Sequence, residues 1–405
     1  MKILYIHQYF TDSNKNGANV VAFTCFEMFS KRDNSVFFFA TDEKPYLMTQ
    51  NINRYFPKSY INKKGIINKI KYRLNAIYNF EAENNIKKVI EEIKPDIIHI
   101  HSLLELSCSV LKPICKAGIP TVMTIHDAGF VCPVMGTNKQ KCSKCAGNVF
   151  HCIKNKCSKQ SYLCSLYVAV KFAINRHFVK KYPPKAYITP SKALNILVSN
   201  SIAGHKSYIL PNCLDTVFDK LETNSNDDGY FLYVGGLLDI KGVNNLLCAF
   251  KGLPSEINLH IVGTGLHEDK YKKYVSNNNL QNVKFIGKLD RVELCKEYNN
   301  CRAVIVPSNC FEIFGMVNIE AFSCSKPVIG SNAGGIPEII DDNYNGFIFE
   351  PDDINQLQKC ILKYYNNPDL AHEHGKNAYM KAKSLYSRAF FQKQLNSIYE
   401  NTVKI

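Results

Sequence analysis

The sequence predicts an α/β protein in which two Rossmann-like domains face each other across a deep cleft. Two observations lead to this fold class. First, short apolar runs alternate with segments of helical period along the whole chain, as expected for βαβ units on parallel sheets. Second, the chain has 405 residues, which is too long for one ordinary core and suits two domains of common size.

The apolar runs that we assign to strands form two series, separated by a polar segment at residues 222–229. The first series is Lys2 to His7, Ser35 to Ala40, Ile97 to His101, Thr121 to His126, Ala186 to Thr189 and Ser207 to Leu210. The second series is Tyr230 to Val234, Asn258 to Val262, Val283 to Ile286, Ala303 to Val306 and Pro327 to Gly330. Gly, Pro and Asn cluster after these runs, which is the expected turn chemistry.

The polar segment sets the predicted domain limits. We expect an N-terminal domain at 1–210 and a C-terminal domain at 211–385. A last helix, within 386–405, could return to the N-terminal domain. Because ligands bind at the carboxyl ends of parallel strands, the cleft between the two sheets is the expected site.

The formal charge of +15 is unevenly spread along the chain. No Asp or Glu occurs from Ala128 through Leu214, and a second basic stretch runs from Arg54 to Arg73. This asymmetry favours a polyanionic partner, which could be an anionic membrane surface, a phosphate-bearing acceptor or a nucleic acid. The alternative is a cationic surface that has no such partner.

The sequence shows neither an export signal nor a membrane span. Its first apolar run is too short for a signal peptide, and Tyr162 to Ile174 is interrupted by Lys171 and shorter than the roughly 20 residues that cross a bilayer. We therefore expect a cytoplasmic protein. The same segment is a candidate for an amphipathic helix in a membrane interface, which would place the protein peripherally at the inner face of the cell membrane.

Sixteen cysteines in a chain without an export signal predict free thiols in a reducing compartment. Several of them lie in an insertion at about 130–165: Cys132, Cys142, Cys145, Cys152 and Cys157. Cys142 and Cys145 have the C-x-x-C spacing of a tetrahedral zinc site. Unmetallated thiols, a structural zinc and disulfides all remain open for this cluster, and no other cofactor is expected.

The segment from Pro307 to Phe322 carries most of the recognisable chemistry. A strand leads into a small polar loop, Gly315 permits a close backbone approach, and an apolar helix follows. The N-terminus of such a helix offers free N–H groups to a phosphate or a sugar hydroxyl. Glu312, in the loop, could accept hydrogen bonds from sugar hydroxyls. Glu320 could bind a ribose diol or could lie on a solvated helix face.

This segment, with Val234 to Gly242 upstream and Lys326 to Glu338 downstream, resembles the family 4 retaining glycosyltransferases of the two-Rossmann-domain GT-B type. Further matching motifs are Asn16-Gly17, Asp96 to His101, Thr124 to Asp127, Pro190-Ser191 and Leu210 to Asn212. The resemblance covers nearly the whole chain and rests on the order and spacing of these motifs. It implies that a sugar moves from a nucleotide-sugar donor to a saccharide or lipid-linked acceptor with retention of configuration. It also implies that the N-terminal domain binds the acceptor and that the C-terminal domain binds the nucleotide sugar. The implied setting is the synthesis of a surface polysaccharide such as capsule or lipopolysaccharide.

The resemblance also implies residue roles. Glu312 contacts the donor sugar, Glu320 the nucleotide ribose, and His126 the donor sugar or the reacting centre. Lys241 and the backbone of Gly17 neutralise the diphosphate as charge develops on it. Catalytic roles are therefore expected for His126, Glu312 and Lys241, and the remaining donor-binding positions are Gly236, Ile286, Gly287, Phe314 and Gly315.

Two positions depart from the family pattern. The family commonly has an Arg where this chain has Gly236, so one positive contact is either missing or supplied elsewhere. Ser325 takes a place that is often Gly. We find no acidic pair typical of metal-dependent sugar-nucleotide sites, so no catalytic divalent ion is expected.

Two other functions fit parts of the sequence. A sugar-nucleotide 2-epimerase would share the fold, although the Glu312 and Glu320 pair and Lys241 favour transfer. A zinc- and nucleic-acid-binding protein would use the basic Cys-rich insertion. The sequence lacks a recognisable finger spacing and an array of stacking aromatics, so a nucleic-acid partner is not expected.

Overall fold

The computed structural model describes residues 1–9, 17–30, 35–43, 51–129, 131–132, 134, 148–199, 201–202, 204–220 and 227–404. These residues form two six-stranded sheets in which the strand pairs are parallel. Helices separate successive strands along the chain. The predicted fold class, two Rossmann-like domains, is confirmed.

The first sheet has the order β2-β1-β3-β4-β5-β6. Its strands are β1 (Lys2–His7), β2 (Ser35–Phe39), β3 (Ile97–Ser102), β4 (Thr121–Thr124), β5 (Ala186–Thr189) and β6 (Lys206–Ile209). β1 and β3 are buried almost throughout, as expected for central parallel strands that helices cover on both faces. The strand order reverses between β1 and β3, which creates a switch point at their carboxyl ends.

The second sheet has the order β12-β11-β10-β7-β8-β9. Its strands are β7 (Phe231–Val234), β8 (Leu259–Val262), β9 (Val283–Gly287), β10 (Ala303–Val306), β11 (Val328–Ser331) and β12 (Gly346–Phe349). Its switch point lies between β7 and β10. The sequence analysis missed β12, a four-residue run that begins with Gly after an Asn-rich turn and has little strand signal of its own.

The helices of the N-terminal half are α1 (Gly17–Ser30), α2 (Ile66–Asn75), α3 (Phe80–Ile93), α4 (Leu111–Lys116), α5 (Phe150–Lys154), α6 (Tyr162–Lys181), α7 (Lys192–Ser199) and α8 (Thr216–Asp219). In α3, the buried residues recur at helical spacing: Ala82, Ile86, Val89, Ile90 and Ile93. The Asn79 side chain caps this helix by accepting a hydrogen bond from the Ala82 N–H at 2.9 Å.

The helices of the C-terminal half are α9 (Val243–Lys251), α10 (Glu268–Asn277), α11 (Arg291–Asn300), α12 (Met316–Ser323), α13 (Ile336–Ile339), α14 (Ile354–Asn366), α15 (Pro368–Leu385) and α16 (Arg388–Val403). The last of these, α16, lies on the first sheet. Its Phe391, Leu395, Ile398 and Tyr399 belong to the apolar core of that sheet. The Tyr399 hydroxyl forms hydrogen bonds with Tyr5 and His99, at 3.0 and 2.6 Å. A buried polar contact therefore fixes the chain end to the N-terminal half.

Most strand ends agree with the sequence analysis to within one or two residues. The clearest difference is at β4, which ends at Thr124 rather than at His126. The Ile125 N–H still donates to the Ile188 carbonyl oxygen at 2.8 Å, but His126 lies in the loop. In the described part of the chain, we find no helix that is both long enough and apolar enough to cross a membrane.

Candidate active site

Lys241 and Glu312 come together because two loops of the second sheet approach closely. Lys241 ends a short 3-10 turn, Asp239–Lys241, after β7, and the next residue, Gly242, has a φ of 74°. A Cβ atom at Gly242 would overlap the carbonyl oxygen of Pro307, at the end of β10. Only glycine permits this approach, and it brings the Lys241 ammonium into an ion pair with the Glu312 carboxylate.

The ion pair is partly accessible to solvent, since the Lys241 and Glu312 side chains are 32% and 15% exposed. The Ser308 hydroxyl also donates to Glu312 Oε1, at 2.9 Å. Burial would lower the pKa of Lys241, but the charge and the hydrogen bond of Glu312 outweigh burial and raise it above its usual value. Lys241 is therefore cationic and can exchange its carboxylate partner for an anionic ligand.

The backbone of the Glu312 loop is held by a glycine pair on the neighbouring loop. The Gly335 N–H donates to the Glu312 carbonyl oxygen at 2.7 Å, and a Cβ at Gly334 would overlap the same carbonyl group. Gly315, with a φ of 95°, then starts α12. Phe314 is buried, and its ring packs against Tyr386 with the centroids 6.0 Å apart.

Glu320 lies inside the protein and not on a solvated face, so that alternative was wrong. Its side chain is 7% exposed. Tyr298 donates to Oε2 at 2.9 Å, and Arg291 donates to Oε1 at 3.0 Å. Arg291 also donates from Nε to Asp215 Oδ2 at 2.8 Å. A carboxylate oxygen accepts more than one hydrogen bond, so Glu320 retains the capacity to bind a ribose hydroxyl.

The sequence analysis did not identify Arg291, Tyr298 and Asp215 as the surroundings of Glu320. A local signal was present, because Asp290 and Glu293 have the spacing of a capping box and mark the start of α11 at Arg291. That signal locates the start of α11 but does not show that Arg291 contacts Glu320. Burial would lower the pKa of Arg291, and the charges of Glu320 and Asp215 outweigh burial and raise it.

The departure at Gly236 is not imposed by the backbone. The atom nearest to a Cβ there would be in Leu238, at 3.8 Å, and the Gly236 carbonyl oxygen accepts the Tyr233 hydroxyl at 2.9 Å. A longer side chain could therefore be accommodated. Arg291 is committed to two carboxylates, so Lys241 is the cation that the structure brings to Glu312.

Gly17 faces the second domain across the cleft. It is the first residue of α1, and a Cβ there would lie 3.7 Å from Met316 Cγ, in the first residue of α12. The N-termini of a helix from each domain therefore approach each other, which favours an anion between them. Ile286 and Gly287 lie at the carboxyl end of β9. The Lys241 loop follows the carboxyl end of β7 in the same sheet, so both lie on the same side of it.

His126 is held by a second imidazole. His101 Nδ1 and His126 Nε2 are 2.9 Å apart, and the two rings stack with their centroids 5.2 Å apart. Burial, with a contribution from His7, lowers the pKa of His126 to about 3. The pKa of the His101 imidazole is also held well below its usual value by burial and by its histidine neighbours. Both rings are neutral near pH 7, so each has one donor and one acceptor nitrogen.

Two further imidazoles, His99 and His7, lie against the His101 ring, with ring centroids 4.1 and 6.3 Å from it. His99 contacts the Tyr399 hydroxyl through Nδ1 and the Thr124 hydroxyl, 2.7 Å away, through Nε2. His7 Nε2 lies 2.7 Å from Asn19 Oδ1 on α1. The sequence analysis used His99 and His101 only as part of a motif, although their spacing of two on a strand already places them on one face.

Two contacts join the domains beside this site. The Ser191 hydroxyl donates to the Ile313 carbonyl oxygen at 2.6 Å. The Glu338 carboxylate accepts the N–H groups of Lys192 and Ala193, at 2.7 and 2.6 Å, and so caps α7 from the other domain. These contacts hold the Glu312 loop against the first domain.

The zinc hypothesis stays a prediction. Cys142 and Cys145 lie outside the described residues. Cys132 and Cys152 are buried and Cys157 is half-buried. Among the residues that the structure describes, we find no group of three or more His, Cys, Asp or Glu side chains that could hold a metal ion.

Comparisons with known proteins agree with this geometry. Residues 15–217 match the family model of Glycosyltransferase Family 4, and residues 216–381 match the model of the Glycosyl transferases group 1. An uncharacterised glycosyltransferase of Methanocaldococcus jannaschii is 29% identical over 297 residues, which are 72% of this chain and 71% of that protein. The capsular polysaccharide biosynthesis glycosyltransferase CapM of Staphylococcus aureus is 28% identical over 51% of this chain and 54% of its own.

Solved structures show the same fold over the whole chain. Sucrose-phosphate synthase from Thermosynechococcus elongatus superimposes with a TM-score of 0.71 at 18% identity, covering 99% of this chain and 98% of that one. Anabaena HepE in complex with UDP-glucose has a TM-score of 0.66 at 17% identity, covering 99% and 100%. Family models, relatives and fold together show that this chain belongs to the family 4 glycosyltransferases and has the GT-B architecture.

Proposed function

We propose that this glycosyltransferase transfers a sugar from a nucleoside-diphosphate sugar to a saccharide acceptor with retention of anomeric configuration. The observation that carries the proposal is the accessible Lys241 and Glu312 pair at the carboxyl edge of the second sheet. A carboxylate that can accept sugar hydroxyls lies beside a cation that can stabilise a departing diphosphate. Both groups lie on the loops where a parallel sheet binds its ligands.

In the proposed reaction the acceptor oxygen attacks the anomeric carbon on the face from which the diphosphate leaves. The bond between the anomeric carbon and the phosphate oxygen breaks, and the bond to the acceptor oxygen forms. The acceptor hydroxyl proton passes to an oxygen of the departing diphosphate. Lys241 and the N–H groups that start α1 at Gly17 and α12 after Gly315 stabilise the charge that develops there.

His126 acts in this proposal as a neutral hydrogen-bonding group toward the donor sugar. Its lowered pKa makes proton uptake near pH 7 unfavourable, so it orients hydroxyls and does not serve as the general base. Glu320 binds the ribose while Arg291 and Tyr298 hold its orientation. The proposal assigns the countercharge to Lys241 and to backbone N–H groups, without a divalent ion.

We further propose that the acceptor is a lipid-linked precursor of a surface polysaccharide and that the enzyme works at the membrane. The relative CapM is named for capsular polysaccharide biosynthesis, and a structure of similar fold is a lipopolysaccharide outer core galactosyltransferase. The run without Asp or Glu from Ala128 through Leu214 supports an anionic membrane surface as a partner.

A thermal-shift panel with UDP, GDP, ADP and their common sugars, with and without EDTA, tests the donor site. The complex of HepE with UDP-glucose makes UDP the first nucleotide to try. We expect one nucleotide to raise the melting temperature equally with and without EDTA, and we expect Lys241→Met to reduce that rise. The matched control is Lys272→Met, which removes a lysine from an exposed ion pair within α10. Stabilisation that depends on a divalent ion would contradict the proposal.

A further inference from the structure

Helix α2 presents an apolar face to solvent. None of its residues is buried in the part of the chain that the structure describes. Its apolar side chains are 51 to 75% exposed: Ile66, Ile67, Ile70 and Leu74. At about 100° per residue these four side chains fall within roughly one quarter of the helix circumference. An amphipathic helix normally turns such a face toward a core, and among the described residues this face covers none.

Helix α6 presents a second apolar face with the same residue spacing. The exposed residues are Tyr162, Leu163, Leu166 and Val170, at positions that match those of α2 one for one. An adjacent side of α6 is buried through Ser165, Ala169 and Phe172. The orientation of α6 is therefore fixed by packing, and its exposed apolar residues face away from the protein.

The two helices meet. The Tyr167 hydroxyl donates to the Arg73 carbonyl oxygen at 3.2 Å, and the Arg73 guanidinium lies over the Tyr167 ring at 5.8 Å. Arg73 and Tyr167 are each adjacent in sequence to an exposed apolar residue, Leu74 and Leu166. We call the exposed apolar residues of α2 and of the first half of α6 the docking face.

Positive charge surrounds the docking face. Lys64, Lys69 and Lys71 lie on α2 or just before it, and Lys156 lies 4.4 Å from the Tyr162 ring at the start of α6. The chain contains no Asp or Glu from Lys44 through Phe80 or from Ala128 through Leu214, so both helices lie within acid-free sequence. Exposed apolar residues flanked by lysines are typical of helices that lie in an anionic membrane interface.

Helix α6 lies near the loop that follows β4. Lys171, on this helix, has its pKa lowered by burial, and the nearby Asp127 carboxylate partly offsets that lowering. Asp127 directly follows His126 in the loop after β4. The helix that carries part of the docking face is therefore a neighbour of the loop that carries His126.

Charge decides between a bilayer and a second copy of this chain as the occupant. In a symmetric dimer built on the docking face, each basic rim would oppose the same basic rim of its partner, and like charges would repel. Anionic headgroups instead complement the lysines while the acyl region takes up the apolar side chains. The apolar residues are also presented by two helices of one domain, which suits shallow insertion into a membrane interface.

We propose that the docking face inserts into the interface of an anionic lipid bilayer and holds the His126 side of the cleft at the membrane surface. The inference deepens the proposed function, since it names the surface through which a membrane-bound acceptor would be reached. Its test measures binding to lipid and is independent of turnover.

The test is co-sedimentation of the full chain with vesicles of phosphatidylcholine, with and without phosphatidylglycerol. We expect binding to the vesicles that contain phosphatidylglycerol, weakened by salt. The triple variant Ile66→Ser, Ile67→Ser and Ile70→Ser should bind about tenfold or more weakly. The charge variant Lys64→Glu and Lys69→Glu should weaken binding by about fivefold or more for each lysine.

Matched controls come from the second domain. Leu266→Ser with Met380→Ser replaces apolar side chains that are 85 and 67% exposed, and Lys273→Glu with Lys359→Glu reverses two exposed charges. These controls should bind vesicles as the wild type does. Nucleotide-dependent thermal shifts should be unchanged in every variant, which separates loss of docking from loss of folding or of the donor site.

Three results would overturn the inference. They are wild-type protein that stays in the supernatant with phosphatidylglycerol vesicles, α2 variants that bind as well as wild type, and controls that lose binding equally. Sedimentation velocity without lipid adds a fourth, a dimer that the triple serine variant dissociates, because the face would then belong to a second copy. A failed nucleotide shift with intact vesicle binding would instead contradict the proposed function alone.

Discussion

The two sides of the cleft present different chemistry. The first domain offers neutral rings, with His126 bonded to His101 and the buried His99 and His7 behind them. The second domain offers charged pairs, Lys241 with Glu312 and Arg291 with Glu320. Neutral rings can orient a sugar without competing for the leaving diphosphate. The charged side chains of the second domain can instead exchange their present partners for a diphosphate or a sugar diol that binds in the cleft.

Acid should destabilise the histidine side of the cleft, in the first domain, before it affects the charged pairs of the second domain. Burial lowers the pKa of His7 to about 4 and of His99 to about 3, below the usual value of about 6.5. Below about pH 6.5 the unfolded chain takes up protons that the folded chain does not, so stability is lost as the pH falls. At about pH 5 we expect a loss of about 2 kcal/mol for each of these two histidines. Calorimetric melting at a series of pH values measures it.

The control for this loss is His177→Gln, since His177 is exposed and lies on α6 outside the imidazole cluster. It should leave the pH dependence of the melting temperature unchanged. A melting temperature that stays constant between about pH 7 and 5 would show that the buried rings bind protons in the folded state.

Removing the Lys241 ammonium should abolish most of the activity that depends on the second domain. Lys241→Met leaves the Glu312 carboxylate with Ser308 and without its ammonium partner. We expect the turnover number to fall about 100- to 1000-fold, because a charge that acts on the departing diphosphate is lost. Nucleotide release with donor and acceptor present measures it. Activity within a few-fold of the Lys272→Met control would mean that another group supplies the charge.

Changing Glu320 should have a smaller effect and sharpen the ribose assignment. Glu320→Gln leaves Arg291 with Asp215 as its remaining carboxylate and should cost about 1–3 kcal/mol of stability. Nucleotide affinity, measured by calorimetric titration, should fall about tenfold if Glu320 also binds the ribose. Tyr298→Phe removes the other hydrogen bond to Glu320 but keeps its carboxylate, so it should cost about 1 kcal/mol of stability and lower nucleotide affinity less than Glu320→Gln does.

The smallest expected effect concerns the contacts that join the two sides. Ser191→Ala with Glu338→Gln removes the hydroxyl bond to Ile313 and weakens the carboxylate cap on α7. We expect a more open cleft, seen as a larger radius of gyration in small-angle X-ray scattering, and a donor KM raised about fivefold or less. An unchanged radius of gyration would show that other contacts hold the cleft.

The sequence predicted the fold class for reasons that are local. Buried parallel strands read as apolar runs, and Gly, Pro and Asn mark the turns between them. β12 was missed because Gly346-Phe-Ile-Phe349 has too little local signal, and it is a strand because it pairs with β11. The β4 boundary was extended too far because Ile125 is apolar and still bonds to the neighbouring strand, although β4 itself ends at Thr124.

The candidate site was predicted in part. Gly242 and Gly315 are needed for their positive φ values, and Glu312 and Lys241 were identified with them. The surroundings of Glu320 were missed because Asp215, Arg291 and Tyr298 belong to three different elements and meet only through packing. Ser308 was missed as a Glu312 partner, although it lies four residues away.

The amino-acid sequence by itself determined the alternation of strands and helices, the glycines that shape the site loops and the acid-free stretches, because each depends on neighbouring residues or on composition. The tertiary structure alone decided that Lys241 reaches Glu312, that Glu320 is buried and that Tyr399 joins His99. It also decided that α2 and α6 leave apolar faces uncovered. The physical reason is that such pairings and exposures depend on distances between residues far apart in the chain, which no local pattern encodes.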